Sequence, residues 1–248
     1  MISLEEVYNA INSIAPFDSA EPYDNVGIIF EGSRMSETVL FSLDVTSETL
    51  KEAEQLGCSI IVSHHPAIFG GLKQIKYTDV IAEAIRKDIS LIAAHTNFDR
   101  AKGGTNDILA TLLEVTVEEE IYSGLGRKGY LKKSYAPLDF IEFVKKMLGA
   151  EQVYAVTGDR SIDRVAIIAG SSGDISDIFS MDIDAVVTGE TKYFYALEAK
   201  RNNISLVVAG HYQTENIGFM NLKNTVHSML KDKATCIYSN IMGNPYIN

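Results

Sequence analysis

Short apolar runs rich in isoleucine and valine alternate with helical patterns along nearly the whole chain of 248 residues. Strands this short and this uniformly apolar are typical of a sheet that helices cover on both faces. A regular alternation of strands and helices also favours parallel strand pairing. The sequence therefore predicts an α/β fold with mostly parallel sheets.

The apolar runs and the helical periodicity place the elements along the chain. We predict strands at Val26–Phe30, Thr38–Val45, Ser59–Ser63, Ile89–Ala94, Arg164–Gly170, Ala185–Thr188, Ser205–Ala209 and Thr235–Tyr238. We predict helices at Ser47–Leu56, Thr78–Lys87, Asn106–Leu113, Leu138–Leu148, Thr191–Asn202 and Asn216–Leu230, and an amphipathic helix near the N-terminus that Ser3 caps.

The second half of the chain repeats the first. A strand–helix–strand–helix–strand pattern ends on a histidine and an acid four residues later in both halves, at His95 and Asp99 and again at His211 and Glu215. Any two such units look alike in outline, but these matched endings favour an internal duplication. The glycine-rich, basic segment near residue 125 marks the predicted boundary between domain 1–125 and domain 126–248.

Three histidine clusters each follow a predicted strand: His64-His65, His95 with Asp99, and His211 with Glu215. Ligands of open parallel sheets bind outside the carboxyl ends of the strands. Four imidazoles and two carboxylates are too many for one tetrahedral ion and suit divalent metals that accept nitrogen and oxygen ligands. The sequence therefore predicts a dinuclear metal site in a cleft between the two similar units.

The individual roles leave alternatives open. Glu215 is the better candidate for a carboxylate that bridges two ions, or it is a first-turn acid that favours the helix dipole. Asp99 suits a terminal ligand, and His95 is either a ligand or a group that orients one. Glu190 takes the place of His65 in the repeat and is a candidate catalytic acid or base, together with His95. We interpret Asp24 mainly as a turn residue.

Composition limits the class of protein. The formal net charge of −11 argues against nucleic acid as a partner, because phosphate backbones require a basic surface. Two cysteines, Cys58 and Cys236, form no disulfide framework, which favours a reducing compartment and a cytoplasmic location. No apolar run approaches the roughly 20 residues that a membrane span needs.

Four motifs together resemble the family of GTP cyclohydrolase 1 type 2 homologues, dinuclear-metal proteins named after an NGG-interacting factor. They are SHHPAIFGGL (63–72), AHTNFDRAKGGTND (94–107), TGE (188–190) and AGHYQTENIG (209–218). The resemblance covers nearly the whole chain and is to the short form without a central insertion domain. Tyr23 stands where many relatives have tryptophan, and Phe194 where many have histidine.

The resemblance implies a specific site and assembly. Its metal ligands fall on His64, His65, Asp99, His211 and Glu215, with Glu215 bridging two divalent ions and His95 beside the site. It also implies a toroidal homohexamer.

We therefore expect a dinuclear metal-dependent hydrolase that acts on a nucleotide-like or phosphate-containing small molecule. The site chemistry alone allows a cyclohydrolase or a phosphoesterase, and Zn, Fe, Mn and Ni all suit the ligands. Two non-catalytic alternatives are a metal carrier or insertion protein and a hexameric scaffold with structural metals.

Overall fold

The computed structural model describes residues 1–241 and 244–245, and the chain divides into two compact units. The first unit comprises Met1–Ala101 and Phe219–Pro245, and the second comprises Lys102–Gly218. This division differs from the predicted boundary after residue 125. The segment that follows Ala101 belongs to the second unit, because it contains a helix that packs on the second sheet and a strand that pairs within it. Residues 246–248 of the predicted second domain lie outside the described residues.

The elements run in alternation, as the sequence predicts. The strands are β1 (Gly27–Phe30), β2 (Thr38–Ser42), β3 (Ile60–Ser63), β4 (Ser90–Ala93), β5 (Val115–Ile121), β6 (Gly126–Tyr135), β7 (Tyr154–Val156), β8 (Ile162–Ser171), β9 (Ala185–Glu190), β10 (Ser205–Val208) and β11 (Thr235–Tyr238). The helices are α1 (Leu4–Ile14), α2 (Ser47–Gln55), α3 (Val80–Lys87), α4 (Thr96–Arg100), α5 (Thr105–Leu112), α6 (Pro137–Leu148), α7 (Tyr193–Arg201) and α8 (His211–Leu230).

The sheet of the first unit has the order β1-β4-β3-β2-β11. All of its pairings are parallel except that of β1 with β4. Every residue of β3 and β4 is buried, as expected for strands that are covered on both faces. The parallel α/β arrangement predicted from the short apolar runs is thus present in this unit.

The sheet of the second unit has the order β5-β6-β8-β9-β10-β7 and is mixed. Strands β8, β9 and β10 are parallel, whereas the pairings of β5 with β6, β6 with β8 and β10 with β7 are antiparallel. The glycine-rich segment near residue 125 is therefore the start of strand β6. Its Gly129 permits close pairing, since a Cβ there would stand 2.1 Å from the carbonyl oxygen of Thr116.

Each unit contains three consecutive parallel strands, β2-β3-β4 in the first and β8-β9-β10 in the second. In both units the last of these strands leads into a helix with a histidine at its start and an acid four residues later, α4 after β4 and α8 after β10. The predicted duplication thus corresponds to equivalent supersecondary structures.

Two helix starts matter for the site. Ser3 and Glu6 form the capping box expected at the start of α1. Helix α8 begins at His211, five residues before its predicted start. Gly210 allows this early start, because its φ of 98° turns the chain out of β10 and its carbonyl oxygen accepts from the N–H of Thr214 at 3.2 Å. None of the helices within the described residues is both long and apolar enough to cross a bilayer.

Candidate metal centre

Three imidazoles converge at the carboxyl ends of two neighbouring strands in the first unit. His64 and His65 directly follow β3, and His95 follows β4. Each offers a ligand atom that lies within 4.8 Å of those of the other two. The ring centroids are 5.0 Å apart for His64 and His65, and 5.1 Å apart for His64 and His95. Adjacent histidines converge here because the chain has already left the pleat of β3.

The protonated nitrogen of His64 and of His65 can be assigned from its partner. Nδ1 of His64 lies 2.8 Å from the carbonyl oxygen of Ala94. Nδ1 of His65 lies 2.9 Å from Oδ1 of Asp44. A carbonyl or carboxylate oxygen only accepts, so Nδ1 donates in both rings and Nε2 becomes the nitrogen that would bind a metal. Metal-binding histidines typically donate the N–H of their other ring nitrogen to a carboxylate or a backbone carbonyl in this way.

His95 has the same arrangement, with Asp24 as its partner. Nδ1 of His95 donates to the carboxylate of Asp24, 3.0 Å from each oxygen. The N–H and hydroxyl of Thr96 also donate to Oδ2 of Asp24, at 3.1 and 2.5 Å. Burial acts to raise the pKa of Asp24, but the hydrogen bonds from His95 and Thr96 outweigh it and hold the pKa well below its ordinary value. Asp24 thus stays ionised and fixes the ring of His95.

Asp24 and Asp44 are site residues that the sequence analysis did not assign. Asp24 was interpreted as a turn residue, yet its side chain is only 1 % exposed and it contacts a histidine 71 positions later. Asp44 lies just beyond β2, the strand beside β3. The one sequence signal was their position beside predicted strand ends, which many turn residues share.

Asp99 lies close to the histidine cluster. It is on the first turn of α4, where its backbone N–H donates to the carbonyl oxygen of His95 at 2.9 Å. Its Oδ1 is 3.5 Å from Nε2 of His64. The structure therefore brings together all four predicted site residues of the first unit: His64, His65, His95 and Asp99.

The second unit holds the other predicted site residues in one group. His211 and Glu215 lie on successive turns of α8, and Nε2 of His211 is 3.0 Å from Oε2 of Glu215. Nδ1 of His211 is 3.3 Å from Oε2 of Glu190, at the end of β9. His211 and Glu215 therefore share one face of α8, and Glu190 stands beside His211.

Close backbone packing fixes the carboxylate of Glu215. A Cβ on Gly170 would stand 1.9 Å from Oε1 of Glu215, and a Cβ on Gly189 would stand 2.6 Å from the hydroxyl oxygen of Thr214. The same hydroxyl accepts from the N–H of Gly170 at 3.0 Å. The backbone at Gly170, near the end of β8, is therefore the seat on which the carboxylate of Glu215 rests.

The other predicted polar residues lie outside these two groups. His227, on α8, accepts from the backbone N–H of Cys236 at 3.2 Å and belongs to neither group. Burial raises the pKa of the Cys58 thiol to about 12 and that of Cys236 to about 11. Both cysteines are therefore protonated thiols at neutral pH and poor metal ligands.

Several known proteins resemble this chain over most of its length. The family profile described as Duf34/NIF3 (NGG1p interacting factor 3) matches residues 2–245. A Clostridium perfringens protein named GTP cyclohydrolase 1 type 2 homolog is 31% identical, with 99% of both chains covered. A Campylobacter jejuni protein of the same name is 37% identical over 86% of this chain and 88% of its own. The crystal structure of a Bacillus cereus protein related to NIF3 superposes with a TM-score of 0.87 at 22% identity, covering 98% of each chain.

Proposed function

The chain belongs to the Duf34/NIF3 family, and we propose that it is a metal-dependent hydrolase acting on a nucleotide-like or phosphate-containing small molecule. One observation carries the proposal: in all four histidines of the two groups, Nδ1 faces an oxygen of a carboxylate or a carbonyl. This arrangement fixes the direction of each ring and makes Nε2 the nitrogen that could bind a metal or transfer a proton.

The donor set fits divalent metals. The residues that would hold two divalent ions are His64, His65 and Asp99 in the first unit and His211 and Glu215 in the second. Imidazole and carboxylate together suit Zn, Fe, Mn or Ni. Bound ions of this kind supply Lewis-acid activation of water and of the attacked group.

The chain's own residues orient the ligands and move protons. Asp24 and Asp44 hold the rings of His95 and His65 through Nδ1. Glu190 keeps its side chain 47 % exposed while Oε2 faces Nδ1 of His211, so it can orient that ring and exchange a proton with a substrate. His95, 18 % exposed, is the second group placed to transfer a proton.

Two observations support the substrate class. The similar proteins from Clostridium perfringens and Campylobacter jejuni carry the name of a GTP cyclohydrolase homologue. The formal net charge of −11 disfavours long polyanions, whereas a small anion neutralised at a metal site is compatible with it. A mononucleotide satisfies both.

The test combines metal analysis with turnover. Protein stripped with EDTA and reloaded with Zn, Mn, Fe or Ni is assayed for metal content and for GTP ring opening and phosphate release. We expect activity that depends on the metal and is lost in His65→Asn, with His227→Asn as the matched histidine control. Rapid, reversible metal exchange without turnover of any nucleotide would instead favour the metal-carrier alternative. Ligand variants that lose assembly would favour the scaffold.

A further inference from the structure

A cavity of about 410 Å³ lies in the second unit, apart from the predicted metal ligands. Its lining comes from edge strand β7, from β10 and from the start of α7. Small-molecule sites occupy roughly 300–1,000 Å³, so the cavity has the size of a small ligand.

The interior of the cavity is apolar. Leu206 is buried, and Val156, Ala196 and Val208 are half-buried against the core of this unit. These side chains carry no polar atoms. Contact with them therefore favours an apolar ligand surface, which loses its contact with water on binding.

The rim of the cavity is aromatic and basic. Tyr154 and Tyr193 line it, and each is 79 % exposed. Tyrosine combines an apolar ring with a polar tip, and two such rings at the mouth of one cavity offer faces on which a flat ring can stack. Lys192, next to Tyr193, is the one charged group among the described residues that line the cavity. It is also exposed.

We propose that this cavity binds a planar aromatic ring that carries an anionic group, the chemistry of a mononucleotide. The ring contacts the apolar interior and the two tyrosines, and the anion pairs with Lys192. The site begins directly after Glu190, since Thr191 also lines it. The proposal rests on the proposed function for the choice of a nucleotide, but binding itself requires no metal.

The experiment is isothermal titration of the EDTA-treated full chain with GMP, with guanosine and with ribose 5-phosphate. We expect GMP to bind more tightly than either fragment. Base–aromatic stacking supplies about 1–3 kcal/mol per base, so Tyr154→Ala and Tyr193→Ala should each weaken GMP binding roughly tenfold. Lys192→Ala should weaken GMP binding and leave guanosine binding unchanged.

Helix α7, which carries Tyr193, also provides matched controls. Phe194 is 56 % exposed and Lys200 is exposed, and neither lines the cavity. Phe194→Ala and Lys200→Ala should leave GMP binding within about twofold of the parent, a difference below 0.5 kcal/mol. Thermal unfolding of every variant checks that the fold persists, which the exposure of these side chains favours.

Absence of GMP binding by the parent would overturn the proposal, and so would equal losses of GMP binding in the control and cavity variants. A third such outcome is a parent that binds no GMP while Tyr154→Ala and Tyr193→Ala change its molecular mass in light scattering. The last outcome would assign the surface to a second copy of the chain. Because GMP binding is measured without metal, a metal-loaded protein that lacks turnover would defeat the proposed function and leave this result intact.

Discussion

The carboxylate of Asp24 holds Nδ1 of His95 at 3.0 Å from each of its oxygens, across 71 positions of the chain. This contact sets both the orientation and the protonation pattern of an imidazole at the candidate metal centre. Asp24→Asn keeps the size of the side chain but removes the charge and one acceptor oxygen, so its hold on the ring of His95 weakens.

We predict that Asp24→Asn lowers metal affinity roughly 10–100-fold, the usual effect of losing an outer partner of a metal site. The measurement is competition with a metal-binding dye. Asp18→Asn is the control, because Asp18 is an exposed aspartate near the same position of the chain. Equal affinity in the two variants would contradict the role given to Asp24.

Gly170→Ala tests the seat of Glu215. Both this variant and Gly173→Ala place alanine at a positive φ, +60° and +62°, which costs about 1–2 kcal/mol of stability in each. Only at Gly170 does the new Cβ collide with Glu215, since a Cβ on Gly173 meets nothing within 4 Å. We expect Gly170→Ala alone to lose metal, as measured by elemental analysis beside urea unfolding. Equal metal content in both variants would show that Glu215 does not depend on this seat.

Glu215→Gln tests the expectation that Glu215 bridges two ions. A carboxylate that contacts two ions neutralises charge at both, so its loss should lower the occupancy of both ions together, whereas Asp99→Asn should weaken mainly one. Elemental analysis over a metal titration separates the two patterns. The exposed Glu142→Gln is the control. Parent-like binding of two ions by Glu215→Gln would rule out bridging.

A pH dependence follows from Asp174 in the second unit. The hydroxyl of Tyr195 donates to Oδ1 of Asp174 at 2.7 Å, and this bond, with the backbone N–H of Ser176, lowers the pKa of Asp174 from 3.8 to about 2. The stabilisation is therefore fully present above about pH 4 and is lost as the pH falls through 2.

Tyr195→Phe should raise the pKa of Asp174 towards 3.8, as read from its carboxyl carbon shift by NMR. The free energy of unfolding of Tyr195→Phe should be lower than that of the parent at neutral pH. It should also change less as the pH falls from about 4 to 2. Tyr193→Phe is the control, because that ring is 79 % exposed. An unchanged titration of Asp174 in Tyr195→Phe would contradict the assignment of the hydrogen bond.

The assembly remains a prediction from resemblance. We expect a homohexamer at micromolar concentration, measured by light scattering. A monomer under these conditions would exclude it.

Much of the fold could be predicted because the central strands are buried on both faces. The four residues of β3 and of β4 are all buried, and such runs stand out as apolar in the sequence. Strand β5 gives no such signal, since only Val115 and Ile121 at its ends are buried. Strand β6 could not be predicted, because Gly126 and Gly129 suggest a linker. In the structure these glycines allow the backbone of β6 to pack closely against its neighbours.

The candidate histidines could be predicted because they lie within three residues of the ends of the parallel strands β3, β4 and β10. Their partners could not, because Asp24 meets His95 through tertiary structure alone. The first turn of α8 could not be predicted, because a glycine such as Gly210 usually interrupts a helix. In the structure the positive φ of Gly210 turns the chain, and α8 begins at the next residue.

The place of β11 beside β2 has a consequence for biosynthesis. Within the described residues, the second unit is one continuous stretch, Lys102–Gly218, and its sheet can form as soon as that stretch has left the ribosome. The first unit is synthesised earlier but keeps the edge of β2 open until Thr235–Tyr238 emerges. A nascent chain therefore carries an unpaired parallel edge throughout most of its synthesis, and such edges invite aggregation. The last strand to be made thus completes the first sheet to be started.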